Sequence, residues 1–116
     1  MPERTSYAHG VPSWVDLASP DVDASIAFYR DLFGWEHVAA GPPEETGGYG
    51  MFMLGGKVVA GVMATQDEQQ PPVWSTYFAV DDADATLAAV PDAGGAVAIG
   101  AMDVMDAGRM AYITDP

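Results

Sequence analysis

A chain of 116 residues holds one domain with a modest core and leaves no room for two of ordinary size. With 49% hydrophobic, 10% aromatic and 18% charged residues, the composition is that of a folded globular protein and excludes disordered, collagen-like and coiled-coil chains. Four Lys+Arg against seventeen Asp+Glu give a net charge of −13, too few cations to line a phosphate backbone and a field that repels one. Nucleic acid and anionic membranes are thereby set aside as partners; a cationic partner or a solubilising acidic surface remains. No apolar run approaches the ~20 residues of a membrane helix, the N-terminus MPERTSYAHGVP has no apolar stretch behind its charges, and a cytoplasmic location is the default. Zero cysteines exclude disulfides, thiolate zinc sites and Cys nucleophiles.

In chain order, Pro12 to Ser19 carries apolar Trp14, Val15, Leu17 and Ala18 between turn residues and reads as a strand. Helix signals follow: Ser19 as a cap, Pro20 in the first turn, and Asp21 and Asp23 at the positive end of the dipole. Val22, Ile26, Tyr29 and Phe33 mark one face of a helix that closes at Gly34. Trp35 to Ala40 reads as a strand, and Gly41 to Gly48 as a polar loop with too many breakers for regular structure. Tyr49 to Leu54 and Lys57 to Thr65 read as strands around a Gly55-Gly56 hairpin turn, and Gln66 to Pro72 as a linker.

After that linker the pattern restarts. With a shift of 61 residues, Ala18, Asp21, Asp23, Ala24, Ala27, Asp31 and Gly34 fall on Ala79, Asp82, Asp84, Ala85, Ala88, Asp92 and Gly95, while Leu17 and Ile26 fall on apolar Phe78 and Leu87. This spacing predicts a strand over Val73 to Val80, a helix from Asp82 to about Ala93 that Pro91 weakens, and strands over Ala96 to Met102 and Gly108 to Thr114. The expected fold is α+β: a single domain over 1–116 made of two tandem βαβββ modules, about 11–65 and 73–116 with a linker at 66–72, the second module lacking its last strand.

The segment WVDLASPDVDASIAFYRDLFGW, residues 14–35, closely resembles the opening of the vicinal oxygen chelate superfamily of glyoxalases, extradiol dioxygenases and bleomycin-resistance proteins. Its most specific part is the S-x-A-F-Y-x-x-L-F-G-W run that ends at Trp35. Val80 to Thr86 with Ala93-Gly-Gly95 resembles the restart of the second module, and Met102 to Met110 with Thr114-Asp-Pro116 resembles an actinobacterial glyoxalase-like subfamily whose members often carry two such domains in tandem. The resemblance covers nearly the whole chain after residue 10 and implies a curled mixed sheet around a cleft, with a turn and a last strand following the Asp-Pro.

It also implies a divalent metal held by His or Gln on the first strand and by Glu or His on later ones. Here the first-strand ligand position falls on Trp14 and its second-module counterpart on Ser75, neither a competent ligand, and the Glu expected late in the first module falls near Gly61 or Met63. His9 and His37 lie away from those positions and read as surface or structural histidines. No metal and no cofactor is expected.

Strand residues two apart face the same way, so Asp16 accompanies Trp14 into the cleft and Tyr77 accompanies Ser75. Met51, Met53, Met63 and Met102 complete the candidate lining, which is either a pocket for a flat apolar molecule or plain core. Asp16, flanked by Val15 and Leu17, is costly to bury alone. It is neutralised by Arg109 or Arg30, anchors a ligand, or serves as a general base with a raised pKa. The leading expectation is a metal-independent protein that binds and sequesters a small aromatic or cationic molecule, acting as a homodimer or tandem pair. The rival is a lyase, isomerase or oxygenase-like enzyme of the same superfamily with ligands outside this chain.

Overall fold

The computed structural model describes residues 6–104 and 108–116. The fold is α+β, with seven strands and three helices among the described residues. The chain divides into two compact units, residues 12–77 and residues 78–116 with the N-terminal arm up to Val11. Among the described residues no helix is long and apolar enough to cross a membrane.

Residues 12–77 form β1 (Pro12–Ser19), α1 (Val22–Phe33), β2 (Glu36–Ala39), α2 (Pro43–Thr46), β3 (Gly50–Leu54) and β4 (Lys57–Ala64), and the chain runs on into β5 (Val73–Phe78). The sheet order is β2-β3-β4-β1-β5. β1 and β4 are parallel, with Asp16 opposite Gly61 and Ala18 opposite Met63, so the chain must cross over between them, and α1 lies on that path. β2, β3 and β4 form an antiparallel meander with a bulge between Phe52 and Met53. The β3–β4 turn uses Gly55 and Gly56 at φ of 59° and 79°, the left-handed pair that a two-residue hairpin needs.

Alternation splits β1 between two faces. Leu17 joins Phe52, Ala60 and Val62 in a core against which Val15, Val22, Ile26, Tyr29, Trp35 and Val59 pack, so this is the face that α1 covers. Phe33, the last residue of the predicted helical face, is exposed but stacks on Tyr29 at 6.1 Å. The helix begins two residues later than Ser19-Pro20 implied. Asp21 is the cap, its carboxylate accepting from the Ala24 amide at 3.0 Å, while the Ser19 hydroxyl accepts from the Asp21 amide and bonds Ser25. Gly34 closes α1 in the left-handed conformation, as predicted. The stretch expected to be an irregular loop contains the four-residue α2, entered through Pro42-Pro43 and closed by left-handed Gly47.

Residues 78–116 hold α3 (Ala83–Ala89) and the hairpin of β6 (Ala96–Val104) and β7 (Gly108–Thr114). Asp82 caps α3 through the Ala85 amide at 3.1 Å, the same bond 61 residues on from Asp21 and Ala24. The helix is shorter than the pattern implied: it ends at Ala89, just before Pro91, in a series of turns. Gly95 packs under β7, where a Cβ would stand 2.6 Å from the Thr114 carbonyl oxygen. Arg109 binds Asp84 with two nitrogens at 2.9 and 3.1 Å and Asp103 at 3.1 Å, tying the hairpin to the first turn of α3. The centre of the Met102 to Met110 motif, residues 105–107, lies outside the described residues.

Candidate functional site

On the sheet face of residues 12–77 opposite α1, β1 presents Trp14 and Asp16. Asp16 retains only 3% of its accessible surface. Its Oδ2 accepts from the Tyr77 hydroxyl at 2.9 Å and from the Tyr49 hydroxyl at 3.1 Å, and Tyr49 in turn accepts from Trp14 Nε1–H at 3.0 Å. The structure thus brings Trp14, Asp16 and Tyr77 into one hydrogen-bonded cluster and adds Tyr49. Asp16 Oδ1 is buried and has no hydrogen-bond partner among the described residues. Burial raises the Asp16 pKa above its ordinary value, and the phenol bonds from Tyr77 and Tyr49 oppose that rise.

The place of Tyr49 is set by its neighbours. It follows the left-handed pair Gly47-Gly48 and precedes β3, with its carbonyl accepting from the Ala40 amide. Its hydroxyl occupies the space over Gly61, where any Cβ would collide with it. Because Gly61 pairs with Asp16 on one side and Met51 on the other, the missing side chain opens a slot that leads Tyr49 to the carboxylate. A glycine inside an apolar strand is the one sequence signal that pointed to such an approach.

Arg30, in the same unit as Asp16, does not neutralise it, which corrects that alternative. Arg30 is spent on Asp31 at 3.4 Å, and Arg109 on Asp84 and Asp103. Met51 and Met63 are half-buried on the Asp16 face, opposite Gly61 and Ala18 respectively, and Met53 shares their parity on β3 beyond the bulge. Ser75 is half-buried on β5, two residues from Tyr77. Met102 lies in the other unit, on β6 and paired with Met110. His37 stands over Gly50 beside Phe52, which puts it on the helix side of the sheet, and His9 accepts from the Asp81 amide at 3.0 Å. A separate apolar groove of about 460 Å³ runs between the start of α1 and Pro72, lined by Leu17, Pro20, Phe28 and Tyr29, and does not include the Asp16 cluster.

Among the described residues no three His, Asp or Glu side chains converge to hold an ion. One carboxylate among two phenols and an indole N–H supplies a single anionic donor, which does not fit the several oxygen or nitrogen ligands a divalent metal requires.

The sequence model of the Glyoxalase/Bleomycin resistance protein/Dioxygenase superfamily matches residues 12–116. The Mycobacterium tuberculosis protein with the provisional name glyoxylase CFP32 is 44% identical over 119 residues, covering 100% of this chain and 46% of that protein. The anthracycline biosynthesis protein DnrV of Streptomyces peucetius is 43% identical over 126 residues, covering 97% of this chain and 46% of that protein. The chain therefore spans about half the length of the curated relatives it matches. A match that runs from the first strand to the last residue, on a sheet in the order β2-β3-β4-β1-β5, makes this chain a member of the Glyoxalase/Bleomycin resistance protein/Dioxygenase superfamily.

Proposed function

We propose that this chain binds and sequesters a small aromatic molecule without a metal, in the manner of a bleomycin-resistance protein. The observation that carries the reading is the Trp14–Tyr49–Asp16–Tyr77 cluster: an organic recognition surface, with one carboxylate oxygen unpartnered, on the strand where the superfamily's chelating groups would be expected. Met51, Met53 and Met63 supply an adaptable apolar wall to this site, and Ser75 a hydroxyl at its edge. The name of the Streptomyces relatives, anthracycline biosynthesis proteins, supports a flat polycyclic ligand class. The same proposal includes a cytoplasmic location, two tandem modules joined at residues 66–72, pairing with a second copy or a tandem domain, and Met102 on β6 as a further lining candidate.

The test is twofold. Purified protein analysed for metals should contain none in stoichiometric amount, and planar aromatic compounds should raise its melting temperature, by linkage of binding to folding. Stoichiometric Ni, Zn, Fe or Mn would overturn the reading. The glyoxylase name of the mycobacterial relative favours a second reading, a lyase or related enzyme whose remaining ligands lie on another domain; metal in the purified protein is the result that reading requires.

A further inference from the structure

The hydrogen-bond chain on the Asp16 face has a direction. Trp14 Nε1–H donates to Tyr49, and the single hydroxyl protons of Tyr49 and Tyr77 both go to Asp16 Oδ2. Every donor of the cluster is therefore turned inward. What the cluster has in excess is acceptor capacity, concentrated on Asp16 Oδ1, which is buried and has no donor among the described residues.

Resting on the binding reading above, we infer that Asp16 Oδ1 receives a protonated amine carried on an aromatic ligand, and that Tyr49 and Gly61 are positioning residues that hold the carboxylate for it. A carboxylate oxygen out of water, with no donor of its own, gains most from a charged N–H group. Arg30 and Arg109 are committed to Asp31, Asp84 and Asp103. An anionic ligand meets the opposite situation: the donors of Trp14, Tyr49 and Tyr77 are already given within the cluster, and the chain as a whole carries −13. Access is short, because Trp14, Tyr49 and Tyr77 are only half-buried and Asp16 thus lies one side chain below the surface. Gly61 enters because the Tyr49 hydroxyl reaches Asp16 only through the space its missing Cβ leaves.

Three probes that share an aromatic body separate charge from shape: naphthylmethylamine, naphthalenemethanol and naphthoate, titrated calorimetrically into the full chain. The titrations are run at neutral pH, in low and in high salt. We expect the ammonium to bind about tenfold more tightly than the alcohol, with naphthoate weakest, and the order to survive high salt because a buried pair is screened little. Asp16→Asn should reduce the ammonium to the affinity of the alcohol, while the exposed control Asp23→Asn, with the same change in net charge, should leave the order intact. Equal binding of ammonium and naphthoate by the unaltered chain in high salt overturns this inference and leaves aromatic binding standing. So does an Asp16→Asn variant that discriminates as well as Asp23→Asn does. Failure of all three probes to bind overturns the binding reading and this inference with it.

Discussion

At Asp16 stability and recognition pull in opposite directions. Its carboxyl holds a proton more tightly in the folded chain than in the unfolded one, because burial raises its pKa more than the two phenol bonds lower it. The folded state thus binds the extra proton, so this residue's contribution is fully present below the unfolded pKa and is lost as pH rises through the folded one. Asp16→Asn keeps the shape and an acceptor for the phenols but removes the charge. It should stabilise the protein at neutral pH by about 1 kcal/mol, the scale of a buried, half-satisfied polar group. Urea unfolding at neutral and acid pH measures this, and a variant less stable than the parent at neutral pH would contradict it. Gly61 makes a second prediction. Gly61→Ala drives a methyl into the Tyr49 hydroxyl and should cost about 1–3 kcal/mol, whereas in a Tyr49→Ala background the same change should cost little. Additive costs in that cycle would show that the two residues do not meet.

At the scale of elements, the two helices share a device. Asp21 and Asp82, 61 residues apart, each accept from the amide three residues on. Asp21→Ala and Asp82→Ala should each destabilise by about 1 kcal/mol in urea unfolding, with Ser or Asn restoring most of the loss; a loss that Asn does not repair would point to another role. The repeated aspartate was legible because capping is local chemistry, although Ser19 competed for the position until the backbone placed its hydroxyl on the Asp21 amide. The strands were legible from apolar stretches bounded by turn residues, and the two-residue period of a strand also set Asp16 beside Trp14. α2 was not, since four residues entered by proline and closed by glycine carry no helical period. Tyr49 escaped for a different reason: its partner is chosen by the register of β3 on β4 and of β4 on β1, which no local window contains. The partners of Arg109 were illegible for the same reason. The register of the β6–β7 hairpin sets Arg109 opposite Asp103, and α3 offers it Asp84.

For the molecule as a whole, the charge is a standing term against compactness. Seventeen acidic side chains face four lysines and arginines, and two of those four are already spent on Asp31, Asp84 and Asp103. Most carboxylates therefore see other carboxylates, and folding crowds them together. Salt relieves this as the Debye length falls to about 8 Å at physiological ionic strength. The melting temperature should rise by roughly a few degrees between very low and physiological salt, on the scale of 1 kcal/mol or less, and then level off once screening is shorter than the spacing of the charges. The proposed pairing of copies carries the same sign. Repulsion between two chains of charge −13 opposes such a pair at low salt. Sedimentation at increasing salt should show the paired species growing as the melting temperature rises. A pair that dissociates on adding salt would mean that ion pairs hold it, which a chain so poor in cations is least equipped to supply.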